Sequence, residues 1–285
     1  MLDREEDAAV LEFFRKRNAA LDALFYDVAA ISDAEAQSLA PWLAREGAIL
    51  VVPPDSGAEI SVHATLESFW ARPGDPVRVM AVAGVGSSAL GTAAFARNVA
   101  NALGESVVGV VSGYGLSDLA TEAVGGYFLF GQLNSLRHLF QLLETALPDD
   151  PNQFARASLD TRTVLALLDD PRSAFQTVIG HSKGNLVISE ALFALDHLNH
   201  ERARALGEAT QFVTVSARIA LPGVCRHVTD IMGALDWFGA LNSRPDIATD
   251  YTVPNAWHHT NRELPLCLDV PQALQVVRER GLLRM

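Results

Sequence analysis

Gly180-His181-Ser182-Lys183-Gly184 sets a serine between two glycines, each two residues away, at the point where an apolar run stops. The run before it, 175–179, has strand character, and residues 183–206 have helical spacing. A serine on so sharp a strand-to-helix turn is placed to act as a nucleophile. Flanking glycines remove Cβ atoms that would collide between strand and helix. The turn lifts Ser182 Oγ to a helix N-terminus, where developing negative charge is favoured. The bare G-x-S-x-G pattern is common; the strand before it and the helix after it make it specific.

Such a serine needs a base and an acid to orient that base. On this kind of turn they follow in the order serine, carboxylate, histidine. Asp236 lies just past the apolar stretch that begins at Val228 and is followed by aromatic residues, so it is the candidate acid. Asp230 is its rival; Asp246 and Asp250 fall in a looser segment. Asp236 also suits a helix N-cap. The base is expected just after the last strand, at His259, with His258 as its neighbour, and the choice between these adjacent residues stays open. The oxyanion donors are expected to be the N–H of Lys183 and one from Val85 or Gly86, in the loop 84–87. That loop lacks the G-K-[ST] of a phosphate-binding turn. His197 and His200, with Glu201, fit a solvated helix face better than a metal site. No metal and no cofactor is expected.

These residues need a scaffold. From Pro76 onward, strands at 77–83, 107–111, 175–179, 212–215, 228–232 and 251–253 are interleaved with helices, among them 89–103, 183–206 and 271–282. Strands alternating with helices imply a mostly parallel sheet covered on both faces. Upstream, residues 48–52 and the alternating run 60–66 suggest a hairpin around Pro53-Pro54. Residues 1–47 predict an N-terminal helical extension packed on the core domain, 48–285. Within it, Ser32-Asp33-Ala34-Glu35 has the form of a capping box. The interval between the strands at 107–111 and 175–179 is too long for a plain crossover. Its Gly-flanked aromatics and leucine-rich stretch predict a helical cap over 113–170.

Charge and composition narrow the class. With 34 acidic against 22 basic residues, a net −12, nucleic acid and anionic membranes are not expected partners. Cys225 and Cys267 make no disulfide framework or metal spacing and read as inert, buried thiols. The acidic start is no signal peptide, and no apolar run reaches membrane-span length, so the expected setting is cytoplasmic.

Together, Gly84-Val85-Gly86, Gly180 to Gly184, Asp236 and His259 make the chain from about Ala48 onward resemble the α/β-hydrolase superfamily. The likeness is to its lipase and esterase branch with G-H-S-x-G. Gly113-Tyr114-Gly115-Leu116-Ser117 also looks like a glycine-serine turn of that fold. The resemblance implies an eight-stranded, mostly parallel sheet and acyl transfer to water. Two departures stand out. The oxyanion loop reads Ala83-Gly84 where a His-Gly pair would be expected, and the N-terminal helices have no counterpart. The expected activity is hydrolysis of a carboxylic ester with a hydrophobic acyl group, on a small-molecule or lipid-like substrate. An acyltransferase, a non-catalytic binding protein of the same fold, and a homodimer all stay open.

Overall fold

The computed structural model describes residues 21–55, 59–84, 87–112 and 158–284. Its centre is an eight-stranded sheet: β1 (Ile49–Val52), β2 (Ser61–His63), β3 (Val79–Val82), β4 (Val107–Val110), β5 (Thr177–His181), β6 (Gln211–Val215), β7 (His227–Gly233) and β8 (Tyr251–Val253). The spatial order is β2-β1-β4-β3-β5-β6-β7-β8. β1 runs antiparallel to both β2 and β4, and every other pairing is parallel. The central strands β3, β4, β5 and β6 are short, rich in β-branched residues and buried throughout, as a sheet covered on both faces requires.

The helices divide between the two faces. Helices α1 (Asp33–Leu39), α3 (Ala89–Leu103) and α8 (Val270–Glu279) cover one side, where Ala93, Val99 and Leu274 pack with Ala81, Ile179 and Val213. Helices α2 (Leu66–Trp70), α4 (Leu159–Asp169), α5 (Lys183–Leu198) and α6 (His200–Ala209) cover the other, where Leu167, Leu168 and Leu192 meet Met80, Val178 and Phe212. Successive strand residues point to opposite faces, so Met80 and Ala81 serve different layers. A short helix α7 (Trp237–Leu241) follows β7.

The hairpin and the strand–helix alternation match the sequence-based expectation, with three differences of extent. The alternating run stops being strand at His63, because Thr65 and Ser68 close a capping box that opens α2. The expected helix 183–206 divides at Asn199, whose side chain accepts from the N–H of Arg202 and caps α6. His197 and His200 therefore do not share one helix, and His200 Nδ1 lies 2.8 Å from Asp196 Oδ1. The last part of the expected cap, residues 159–169, is instead α4, its Val164, Leu167 and Leu168 fully buried beneath the sheet. The remainder of that cap, including 113–117, lies outside the described residues.

The Ser32–Glu35 capping box forms as expected, with reciprocal bonds between the two residues. Segment 21–31 is inserted into the body of the molecule: Tyr26 is 1% exposed and belongs to the main core. Cys225 and Cys267 are free and half-buried, less enclosed than expected, and burial pushes the Cys225 thiol up to about 12. Among the described residues, no helix is long and apolar enough to cross a membrane.

Candidate active site

Ser182 lies between β5 and α5, as the N-cap of the helix, with φ 53° and ψ −121°, a positive-φ conformation that costs a non-glycine residue energy and persists only where its surroundings enforce it. Here the surroundings do so. The N–H of Ser182 donates to Val215 O at 2.9 Å, and Asn185 Nδ2 donates to Val215 O and Ala217 O at 3.0 Å each. Gly180 leaves room for that asparagine, since a Cβ on it would lie 2.2 Å from Asn185 Oδ1.

The hydroxyl meets a base and the base meets an acid. His258 Nε2 is 2.9 Å from Ser182 Oγ, and its Nδ1 is 2.9 and 3.0 Å from the two carboxylate oxygens of Asp236. A carboxylate accepts only, so Nδ1 carries the ring proton and the bare Nε2 accepts from the serine hydroxyl. Both partner side chains are buried, 3% and 0% exposed.

This corrects the expectation of His259 as base. Trp257 N–H donates to Leu266 O, and Leu268 N–H donates to His259 O, so the chain is held on both sides of a bend at His258. The bend turns the His258 ring towards the serine, while the His259 ring packs on that of Trp257 with centroids 5.7 Å apart. His259 Nε2 donates to Pro265 O at 3.1 Å instead.

Asp236 makes the contacts of both roles its sequence position suggested. Besides holding His258, it accepts from the N–H of Gly239 at 2.6 Å and so caps α7. Its rival Asp230 is occupied elsewhere, accepting from Thr214 Oγ1, while its own N–H donates to Asp250 Oδ2. Of the expected oxyanion donors, Lys183 stands first in α5, and Val85 and Gly86 lie outside the described residues. Gly84 directs its N–H to Tyr26 Oη at 2.6 Å. The rings of Phe25 and Phe238 stand edge-on to His258, at centroid distances of 6.1 and 4.7 Å. Among the described residues, no cluster of histidine, cysteine and carboxylate side chains is disposed to hold a metal.

Two buried groups near the site carry opposite pH dependences. Burial first, then the neighbouring His258, holds the His181 imidazole down at about 3, against an ordinary 6.5. Burial raises the Asp22 carboxyl from 3.8 to about 7, partly opposed by hydrogen bonds from Ser88 and Gly91. On acidification below 6.5, unfolding takes up a proton at His181, so that term loses stability as pH falls. Between about 7 and 3.8 the folded Asp22 holds a proton that the unfolded chain releases, so its term gains stability as pH falls. The two offset each other between about 6 and 4. In Asp22→Asn the offset is absent. Urea unfolding across that range should show the variant losing about 1.4 kcal/mol more per pH unit than wild type. Parallel curves would mean that Asp22 is not protonated in the fold.

Compared with known protein families, with characterised proteins and with solved structures, the chain matches none.

Proposed function

We propose that the protein is a serine hydrolase of the α/β-hydrolase type that cleaves a carboxylic ester with a hydrophobic acyl group. The observation that carries this reading is the continuous bonding from Asp236 through His258 to Ser182 on a strained strand-to-helix turn. In that reading Ser182 Oγ attacks the ester carbonyl and passes its proton to His258 Nε2. Asp236 stabilises the resulting imidazolium. The N–H of Lys183 and a second donor from the loop that starts at Gly84 hold the oxyanion. His258 returns the proton to the leaving alcohol, and water then releases the acyl group from Ser182 by the same steps in reverse.

Apolar surroundings favour a hydrophobic acyl group over a charged one. Phe25 and Phe238 flank the base, and beside Asp236 the side chains of Leu235, Trp237 and Leu241 are 46%, 57% and 52% exposed.

Treatment with a fluorophosphonate followed by peptide mass spectrometry should place one adduct on Ser182, and Ser182→Ala should not be labelled. Wild type should also turn over p-nitrophenyl esters, with the preferred chain length reporting the acyl pocket. A folded wild type that takes no label and cleaves none of these esters would end the hydrolase reading.

A further inference from the structure

Beneath the triad runs a second chain of hydrogen bonds, and it begins in the N-terminal segment. Tyr26 Oη lies 2.6 Å from the N of Gly84 and 3.2 Å from His181 Nδ1, and His181 Nε2 lies 2.9 Å from the backbone oxygen of His258. Every proton in this chain can be assigned. A carbonyl oxygen only accepts, so His181 Nε2 carries the ring hydrogen and donates it to His258 O. The ring is neutral, burial holding its pKa far below the usual range, so Nδ1 is bare and accepts from the Tyr26 hydroxyl. The Tyr26 oxygen in turn accepts from the N–H of Gly84. Direction is thus fixed from the start of the oxyanion loop, through a tyrosine 58 residues upstream, to the backbone of the catalytic base.

The same segment grips the base's loop at further points. Thr260 donates to Phe25 O from both its N–H, at 2.7 Å, and its hydroxyl, at 3.0 Å. Asn261 Nδ2 donates to Ala23 O at 2.6 Å. Asp22 accepts from Ser88 N–H at 3.1 Å and from Ser88 Oγ at 2.5 Å, where α3 begins. The segment therefore ties residue 84, the start of α3 and residues 258–261 into one unit. Tyr26 and His181 are 1% exposed each, and the ring of His181 packs tilted on that of His258 with centroids 5.3 Å apart.

We propose that Tyr26 and His181 are a positioning pair, supplied jointly by the N-terminal segment and the serine turn, that sets Gly84, where the expected oxyanion loop begins, at a fixed distance from the catalytic base. The proposal rests on the serine-hydrolase reading. Neither residue touches the reacting atoms. Each acts through the backbone it holds, Gly84 at one end and His258 at the other. Their contribution should grow in the transition state, when the oxyanion loop and the base must act together, and leave ground-state substrate binding unchanged.

Tyr26→Phe keeps the ring and removes only the hydroxyl. With an ester substrate, kcat should fall about tenfold to hundredfold while KM stays within about twofold. Affinity for a trifluoromethyl ketone, which forms a tetrahedral adduct on the serine, should weaken by the same factor as kcat/KM. A residue that merely stabilised the fold would lower the melting temperature and leave these ratios unmoved. His181→Gln, and the double variant, should lose no more than the larger single loss, since breaking either link opens the same chain. Unchanged kcat and adduct affinity in a folded Tyr26→Phe that still labels with fluorophosphonate would overturn the pairing. A wild type that does not label would instead indict the hydrolase reading.

A second measurement needs no variant. Nitrogen NMR of the wild-type protein should show His181 protonated at Nε2 and bare at Nδ1, and still neutral at pH 5. The reverse tautomer, or a charged ring, would reject the assignment even if Tyr26→Phe failed to fold.

Discussion

His258→Gln should lower ester turnover by about a thousandfold or more, while His259→Gln, one residue along, should stay within about tenfold of wild type. The first removes the one imidazole that, among the described residues, is bonded to Ser182 Oγ, and leaves the buried Asp236 carboxylate without its ring partner. What survives would come from oxyanion donors and substrate positioning alone. The second removes a ring whose one hydrogen bond, to Pro265 O, lies away from the serine. Its effect should register mainly as stability, about 1 kcal/mol for a lost hydrogen bond of this kind. Steady-state kinetics of the two purified variants, with urea melts beside them, separate the cases. Equal losses would mean that the loop 257–261 offers both rings to the serine in turn, and the single orientation seen here would be wrong.

Gly184→Ala should prevent folding or cost about 4 kcal/mol or more, the extreme of what one substitution does. The added methyl would sit 2.1 Å from Val82 O and 2.7 Å from Ala83 O. Both are main-chain atoms of the β3 region, so neither can swing aside as a side-chain tip would. Relief requires α5 to move off the sheet, which carries Ser182 away from His258. Gly223→Ala is the control, since nothing lies within 4 Å of its added methyl, and it should stay within about 0.5 kcal/mol of wild type. Chemical denaturation of the pair tests the contrast. A Gly184→Ala protein as stable as wild type would show that the helix and strand approach less closely than described.

These two predictions mark where the sequence was legible and where it was not. The serine turn is a local device, because its glycines, its strand and its helix all lie within about 30 residues of chain. Spacing together with the flanking strand and helix patterns revealed it. Asp236 was legible for a similar reason, being the first carboxylate past the end of an apolar strand. The two histidines were not, because which of them faces the serine depends on a bend at 258 and on the backbone bonds to Leu266 and Leu268 that hold it. The orientation at such a bend is set by tertiary contacts, and adjacent identical residues give no clue. A signal was available at Asn199, a good N-cap residue inside an apparently continuous helix, and it marks the break between α5 and α6.

The N-terminal segment was the least legible. Leu21, Leu24 and Phe25 have helical spacing, which suggests an amphipathic helix laid against a domain. Nothing in that spacing shows that Asp22 and Tyr26 would be drawn into the core. Their partners, Ser88 and His181, lie 66 and 155 residues away. Gly91 carries the one faint sign. A Cβ there would lie 2.1 Å from Asp22 Oδ1, so the helix has left a gap that the carboxylate fills.

The bonds from Phe25 and Ala23 to Thr260 and Asn261 span 235 and 238 residues. On a ribosome the first of these partners is made early and must wait for the second through nearly all of the described chain. A nascent polypeptide halted between the end of α5 and the start of β8 would already hold the serine turn, with its strand and helix, yet lack His258 and the residues that clasp Tyr26's segment. The serine has no imidazole partner at that stage. On the hydrolase reading it gains its base only after residues 258–261 have been made, and only then can they clasp residues 23–25.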